Sequence, residues 1–274
     1  MHITLGSAPT PRQSWHAAML AFIATTVCLG TVLRPCDGHA MPGARPLPPG
    51  EPTRLQTRAL ESAAAVVQPH APVAALNTYL NGFHPMKADP SHQMEAHHYC
   101  HQLNEDLAQC VLFDGSDRDA RLSGIEYIIS EKLYARLPEQ ERRYWHPHNG
   151  EILSGQLVAP GIPEVAERAL MKTKINSYGK TWHVWHTGAQ GRHGDALPLG
   201  EPKLGWSFNR EGEAMPGLVE ARDERLRLRS AEKRQSRAPL LEQARPQTGV
   251  DALKGAFGRP TREWPGVTEA RPGP

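Results

Sequence analysis

Two strand-like runs separated by three turn-forming residues constrain the fold of this chain more than any other feature. Met94–Leu103 and Leu107–Asp114 are both rich in apolar and aromatic residues, and Asn104-Glu105-Asp106 lies between them. Strong strand formers flanking such a turn predict a β-hairpin. A third strand is expected over Gly124–Ile129, where Glu126 alternates against Ile125 and Tyr127. Glu151–Val158 and Lys180–His186 read as a fourth and a fifth. Ser130 is placed to cap a short helix, Pro138 to open another, and Pro163–Ser177 reads as a longer helix stopped by Gly179. Strands and helices that mix without regular βαβ alternation predict an α+β domain, with a mainly antiparallel sheet of about five strands flanked by helices.

Outside this block the composition changes. Much of the chain's proline (25 residues in all) gathers outside its middle, where it interrupts regular structure. Residues 1–40 read as an export signal: Arg12 and His16 precede the apolar run Ala17–Leu33, and Gly38-His39-Ala40 offers small residues for cleavage before Met41. A retained N-terminal membrane anchor is the alternative, although the run is short for a span, which needs about 20 residues. Residues 41–76 read as a proline-rich linker followed by a short helix, and residues 77–222 as the folded domain. About 140 residues suffice to bury close to 70% of the unfolded surface. From Arg222 onward there are 12 basic and 7 acidic residues. Glu220–Arg237 reads as a charged helix and hydrophobic periodicity is then lost, so residues 223–274 are expected to form a basic, largely disordered tail. The whole-chain charge of only +2 gives no reason to expect nucleic acid as a partner.

The chain has 14 histidines, unevenly placed. On a strand, Glu95, His97, Tyr99 and His101 share one face while His98 and Cys100 share the other. Glu126 lies mid-strand between apolar neighbours, where a carboxylate is costly to bury unless it is paired or holds a cation. His146, His148 and Glu151 follow in a loop, and His183 sits on the last strand. Imidazole and carboxylate together suit zinc, iron or manganese. Glu95, His97, Glu126, His146 and His148 are therefore the candidate metal ligands, with His98, His101, Glu151 and His183 as further pocket candidates. A histidine on a strand is more often hydrogen-bonded or exposed than ligating, so the case rests on the cluster rather than on any one member. The helical zinc signature His-Glu-x-x-His, a Gly-rich phosphate loop and a nucleophile elbow are all absent from the sequence.

Cys100 and Cys110 are symmetric about Glu105 and would face each other across the hairpin. They are either a disulfide, two free thiols packed in the sheet or, third in order, a thiolate ligand.

The runs EAHHYCHQLNEDLAQC, ARLSGIEYIISEKLYARLPEQERRYWHPHNGEI, SYGKTWHVW and LPLG, in that order between Asn77 and Pro202, resemble the oil-body-associated protein family, also known as a domain of unknown function in bacteria and fungi. The resemblance implies association with a lipid surface, since plant members associate with seed oil bodies and affect their size and stability. It brings no established catalytic residue or cofactor. It implies that family members generally keep residues like Glu95, His97, His98, Cys100, Glu126, His146 and His148. The export signal sets this chain apart from cytosolic members, and cysteines kept in a cytosolic setting do not exist there for oxidation. Two functions are compatible with these features. One is an exported protein at a lipid or envelope surface with a histidine–carboxylate site for a metal. The other is a divalent-metal-dependent enzyme, a hydrolase or oxygenase, using the same cluster. The oligomeric state is not written in the sequence.

Overall fold

The computed structural model describes residues 48–188 and 194–271. The export signal read from residues 1–40 and the first part of the proline-rich linker lie outside the described residues. The linker leads into the expected short helix, α1 (Leu55–Val67), which buries none of its side chains, and then into the short α2 (Ala71–Ala74).

The sheet is built from β1 (Thr78–Met86), β2 (Asp89–Asn104), β3 (Leu107–Phe113), β4 (Leu122–Ile129), β5 (His146–Pro147), β6 (Tyr178–His183) and β7 (Lys203–Leu204). Its order is β1-β2-β3-β4-β6-β5, with β7 also on β6, and every pairing is antiparallel. The fold class is the α+β antiparallel architecture expected, with additional strands. The hairpin forms as expected: Asn104 Oδ1 accepts from the Asp106 amide at 2.9 Å, and the register shifts between Gln102 and Asn104. Cys100 lies directly opposite Cys110, and the two are joined in a disulfide.

β1 lies ahead of the first expected strand. Its sequence TYLNGFHPM carries Asn, Gly, His and Pro, which weaken a strand signal, yet it pairs along β2 from Thr78↔Cys100 to Pro85↔Gln93. The fourth expected strand is also corrected. Asn149–Leu153 is a helical turn, α5, and Val158 meets the sheet only through a bridge to Asn81. Gly155, at φ +80°, ends that turn in a conformation that favours glycine. The short helices α3 (Glu131–Tyr134, capped by Ser130 accepting from the Leu133 amide) and α4 (Glu139–Arg142) and the longer α6 (Glu164–Lys174) fall where the cap and proline signals place them.

Directly opposed residues share a sheet face, so Leu80, His98, Leu112 and Gly124 line one side together with Cys100, Cys110, Glu126 and Thr181. That side meets Ile152, Leu157, Met171 and Ile175 in the main core. Burial of each such side chain contributes about 1.5–3 kcal/mol.

The tail beyond Arg222 does not follow the expectation of disorder. α7 (Leu218–Leu226) leads into α8 (Ser230–Ser236), a 3₁₀ turn (Ala238–Gln243) and β9 (Arg262–Glu263), which pairs with β8 (Arg210–Glu211) of the domain. Leu240, Val250 and Val267 join the main core. The tail is anchored largely by buried arginines, a signal that hydrophobic periodicity does not register. Arg237 donates to the carbonyl oxygens of Ile152 (2.9 Å) and Leu157 (2.7 Å) and to Glu167 (3.2 Å).

A buried histidine–carboxylate cluster

The register of β4 turns Glu126 onto the covered face of the sheet, and four imidazoles converge on its carboxylate. His98 Nε2 lies 2.8 Å from Oε2, and His84 Nε2 lies 3.9 Å from the same oxygen. His148 Nε2 lies 3.2 Å and His146 Nε2 3.6 Å from Oε1. His84, Glu126 and His146 offer one set of donor atoms within 4.8 Å of one another, and His146, His148 and Glu151 offer a second. Each of these residues and His98 is at most 4% exposed.

The outer hydrogen bonds fix how the rings present themselves. His98 Nδ1 lies 3.1 Å from the Ala96 carbonyl, which only accepts, so Nδ1 carries hydrogen. Ser177 Oγ gives its hydrogen to the Lys174 carbonyl (2.8 Å) and therefore accepts from His148 Nδ1 (2.8 Å). Both rings thus turn Nε2 toward the carboxylate with the other nitrogen held as a donor, the outer-shell arrangement that orients metal-ligating histidines. Unless a proton or a cation lies between, lone pairs face a carboxylate oxygen. His146 is the least satisfied member, since both its ring nitrogens are buried without a hydrogen-bond partner.

Burial sets the protonation. It drives His146 and His183 down to about 3 and holds His84 well below its ordinary value, the Glu126 charge only partly opposing this. Burial pushes Glu126 up, but protons held between it and His148 and His98, with the charge of the neighbouring imidazoles, outweigh this, and its carboxyl sits well below the usual range. Burial, then repulsion from Glu126, raises Glu151 well above it, which favours its protonated form, and its Oε1 is unpartnered. A divalent cation beside Glu126 would reverse that repulsion and release the Glu151 proton.

The sign of the resulting acid dependence is fixed. His84, His146 and His183 are neutral when folded and protonate near 6.5 when unfolded, so unfolding takes up protons as the pH drops below that value. Stability is expected to be full above about pH 6.5 and to decline below it, by about 1.4 kcal/mol per pH unit for each histidine involved. Guanidinium unfolding at pH 7.5, 6.5, 5.5 and 4.5 reads this directly, and a flat profile would show that the histidines are already charged in the fold.

The sequence candidates divide. Glu126, His146 and His148 meet, with His98 and Glu151 beside them. Glu95 and His97 do not join them, because they face the other side of β2: Glu95 accepts from Asn81 Nδ2 (2.6 Å) and from Arg225, and lies 3.1 Å from His97 Nε2, while His97 Nδ1 lies 2.7 Å from the Tyr79 hydroxyl. Burial pushes Glu95 up, but His97 and Arg225 hold it at about 2, which describes a satisfied ion pair. Period-two alternation had put these two residues on the opposite face from His98 without showing which face the later segments would meet. His101 is half-buried on the same outer face. His183 reaches the cluster through His84, whose Nδ1 lies 2.9 Å from His183 Nε2. His84 was missed because β1 was missed.

Gly179, opposite His146 and Ile128 in the sheet, is the floor of this cluster. A Cβ there would collide with Glu126 Oε1 and stand 2.6 Å from His146 Nε2. Gly179→Ala is accordingly expected to displace both donors and to destabilise the domain by about 1–3 kcal/mol, read by denaturant unfolding. Wild-type stability with unchanged zinc binding would show that this space is not needed.

The fold and this centre define an α+β domain with a buried histidine–carboxylate cluster. The chain belongs to the family described as "Protein of unknown function (DUF1264)", which matches residues 70–241 and takes in the plant oil-body-associated proteins. It is 38% identical to oil body-associated protein 1A of Zea mays over 78% of this chain and 87% of that protein. Against oil body-associated protein 1B of Arabidopsis thaliana it is 34% identical over 81% and 89% of the two chains. No solved structure matches. The match reaches past Arg222 and Arg237, further than the sequence resemblance extended.

Proposed function

We propose that this protein works at a lipid surface and that its buried cluster holds one divalent transition ion that locks the sheet to α5 and the loop before it. The observation that carries the ion is the convergence of imidazole Nε2 atoms on Glu126, with the Nδ1 hydrogens of His98 and His148 committed to outer acceptors. Neutral imidazole with carboxylate suits zinc, iron or manganese. With Glu126 and Glu151 both ionised, two negative charges match one divalent ion. Burial of every donor favours a structural ion over an enzyme's open coordination position. The lipid surface is supported by the oil-body association in the relatives' names. Among the described residues no helix is long and apolar enough to cross a membrane. Export, read from residues 1–40, belongs to the same proposal.

Calorimetric titration of chelator-treated protein with zinc tests the ion. One ion per chain, lost in Glu126→Gln, is expected; the same binding in the variant would contradict the site. Flotation with phospholipid-coated triolein droplets tests the surface. Protein left in the aqueous layer would contradict it.

A further inference from the structure

Beside the cluster lies a small pocket lined by His92, His186 and His183, with the thioethers of Met86 and Met94 and several polar residues at its sides. Resting on the reading of the cluster as an ion site, we propose that this pocket is the ion's way in, with His92 and His186 as the capturing pair at the rim and His183 as the ligand that hands the ion inward. His92 Nε2 and His186 Nδ1 are 2.7 Å apart and half-buried, within reach of solvent. Lys203 Nζ stands 3.4 Å from His92 Nδ1, so a cation arriving at the rim must displace both the ammonium and the hydrogen bond between the rings. His183 is 4% exposed and lines the pocket, its Nδ1 is buried, and its Nε2 meets His84 Nδ1 at 2.9 Å. His84 in turn belongs to the inner donor set with Glu126 and His146.

The shared proton between His183 and His84 makes the two positions alternate. When His183 Nε2 donates to His84 Nδ1, His183 Nδ1 holds a lone pair and His84 Nε2 carries hydrogen. When His84 Nδ1 donates instead, His84 Nε2 is free to ligate inside and His183 Nδ1 carries hydrogen. Each arrangement holds two ring protons, and the hand-over moves one across the His183–His84 hydrogen bond. The His84 Nε2 proton leaves to solvent as the ion takes its place, and solvent returns one to His183 Nδ1 once the ion has left it, so the net change is zero. Imidazole and thioether lining suits late first-row ions and replaces their water one ligand at a time, which a centre with every donor at most 4% exposed otherwise prevents.

An access route speeds loading and release equally and leaves the affinity unchanged, whereas a ligand changes the affinity. The test uses the metal-free full chain, cobalt(II) as the probe, and stopped-flow absorbance for uptake, with release followed on adding excess chelator. In the double variant His92→Asn, His186→Asn, both rates should fall by about tenfold or more while Kd stays within about twofold. His183→Asn, which keeps a hydrogen-bonding side chain beside His84, should slow both further. Wild-type rates in both variants with full cobalt occupancy would overturn the access route alone. A changed Kd in the rim variant would make the rim part of the binding site and overturn it too. No cobalt uptake by the wild type would overturn the ion site and the route with it. Unchanged urea midpoints would show that the variants are folded.

Discussion

Arg222→Ala is expected to lower the stability of the domain by about 3–5 kcal/mol, the cost of breaking a buried charged network by removing one partner. The guanidinium is fully buried. It donates to Asn81 Oδ1 at 2.7 Å, the Gln156 carbonyl at 2.8 Å, Ser230 Oγ at 2.9 Å and Asp223 Oδ1 at 2.8 Å. It also lies over the Phe83 ring, 4.7 Å from its centre. One side chain thus ties β1, the segment after α5 and the start of α8 to α7. Lysine cannot replace it, because a single ammonium does not supply the planar fork these acceptors require. Arg222→Lys should therefore recover little of the loss. Urea unfolding monitored by tryptophan fluorescence measures both variants, and a loss under about 1 kcal/mol would mean that α7 and the residues C-terminal to it are not part of the cooperative unit.

The second large effect is on ligand-linked stability. Zinc at about 100 times its Kd should raise the unfolding free energy of the wild type by about 2.7 kcal/mol and that of Glu126→Gln by nothing measurable. Glu126→Gln keeps the shape of the side chain but removes the charge on which His98, His148, His146 and His84 converge. Without metal the variant should also be less stable by about 1.5–3 kcal/mol, since the hydrogen bonds lost involve a charged group. Equal stabilisation of both proteins would place zinc elsewhere on the chain.

The sequence showed the parts of this centre that lie in regular elements with clear turn or cap chemistry. The hairpin was legible from Asn104-Glu105-Asp106, the position of Glu126 from alternation with Ile125 and Tyr127, and the pairing of Cys100 with Cys110 from symmetry about the turn, although symmetry alone could not distinguish a disulfide from two thiols. It did not show β1, whose Asn81, Gly82, His84 and Pro85 weaken every strand signal, and so His84 could not be placed. It misassigned Glu95 and His97, because alternation sorts one strand's residues into two sets but does not say which set faces later segments. Residues 151–158 read as a strand because a short apolar run does not distinguish strand from buried helical turn. The C-terminal part was read as disordered because Arg222 and Arg237 order it through carbonyl oxygens and side chains remote in sequence, which no periodicity reports.

The central claim is that the cluster around Glu126 holds an ion, and elemental analysis by mass spectrometry tests it most directly. The full chain, purified without chelator or nickel resin, would be measured beside the His146→Ala, His148→Ala double variant. Close to one transition ion per wild-type chain, absent from the variant, is the result expected. A wild-type protein without metal, or a variant carrying the same amount, would leave Glu126 the centre of a hydrogen-bonded histidine network and contradict the claim.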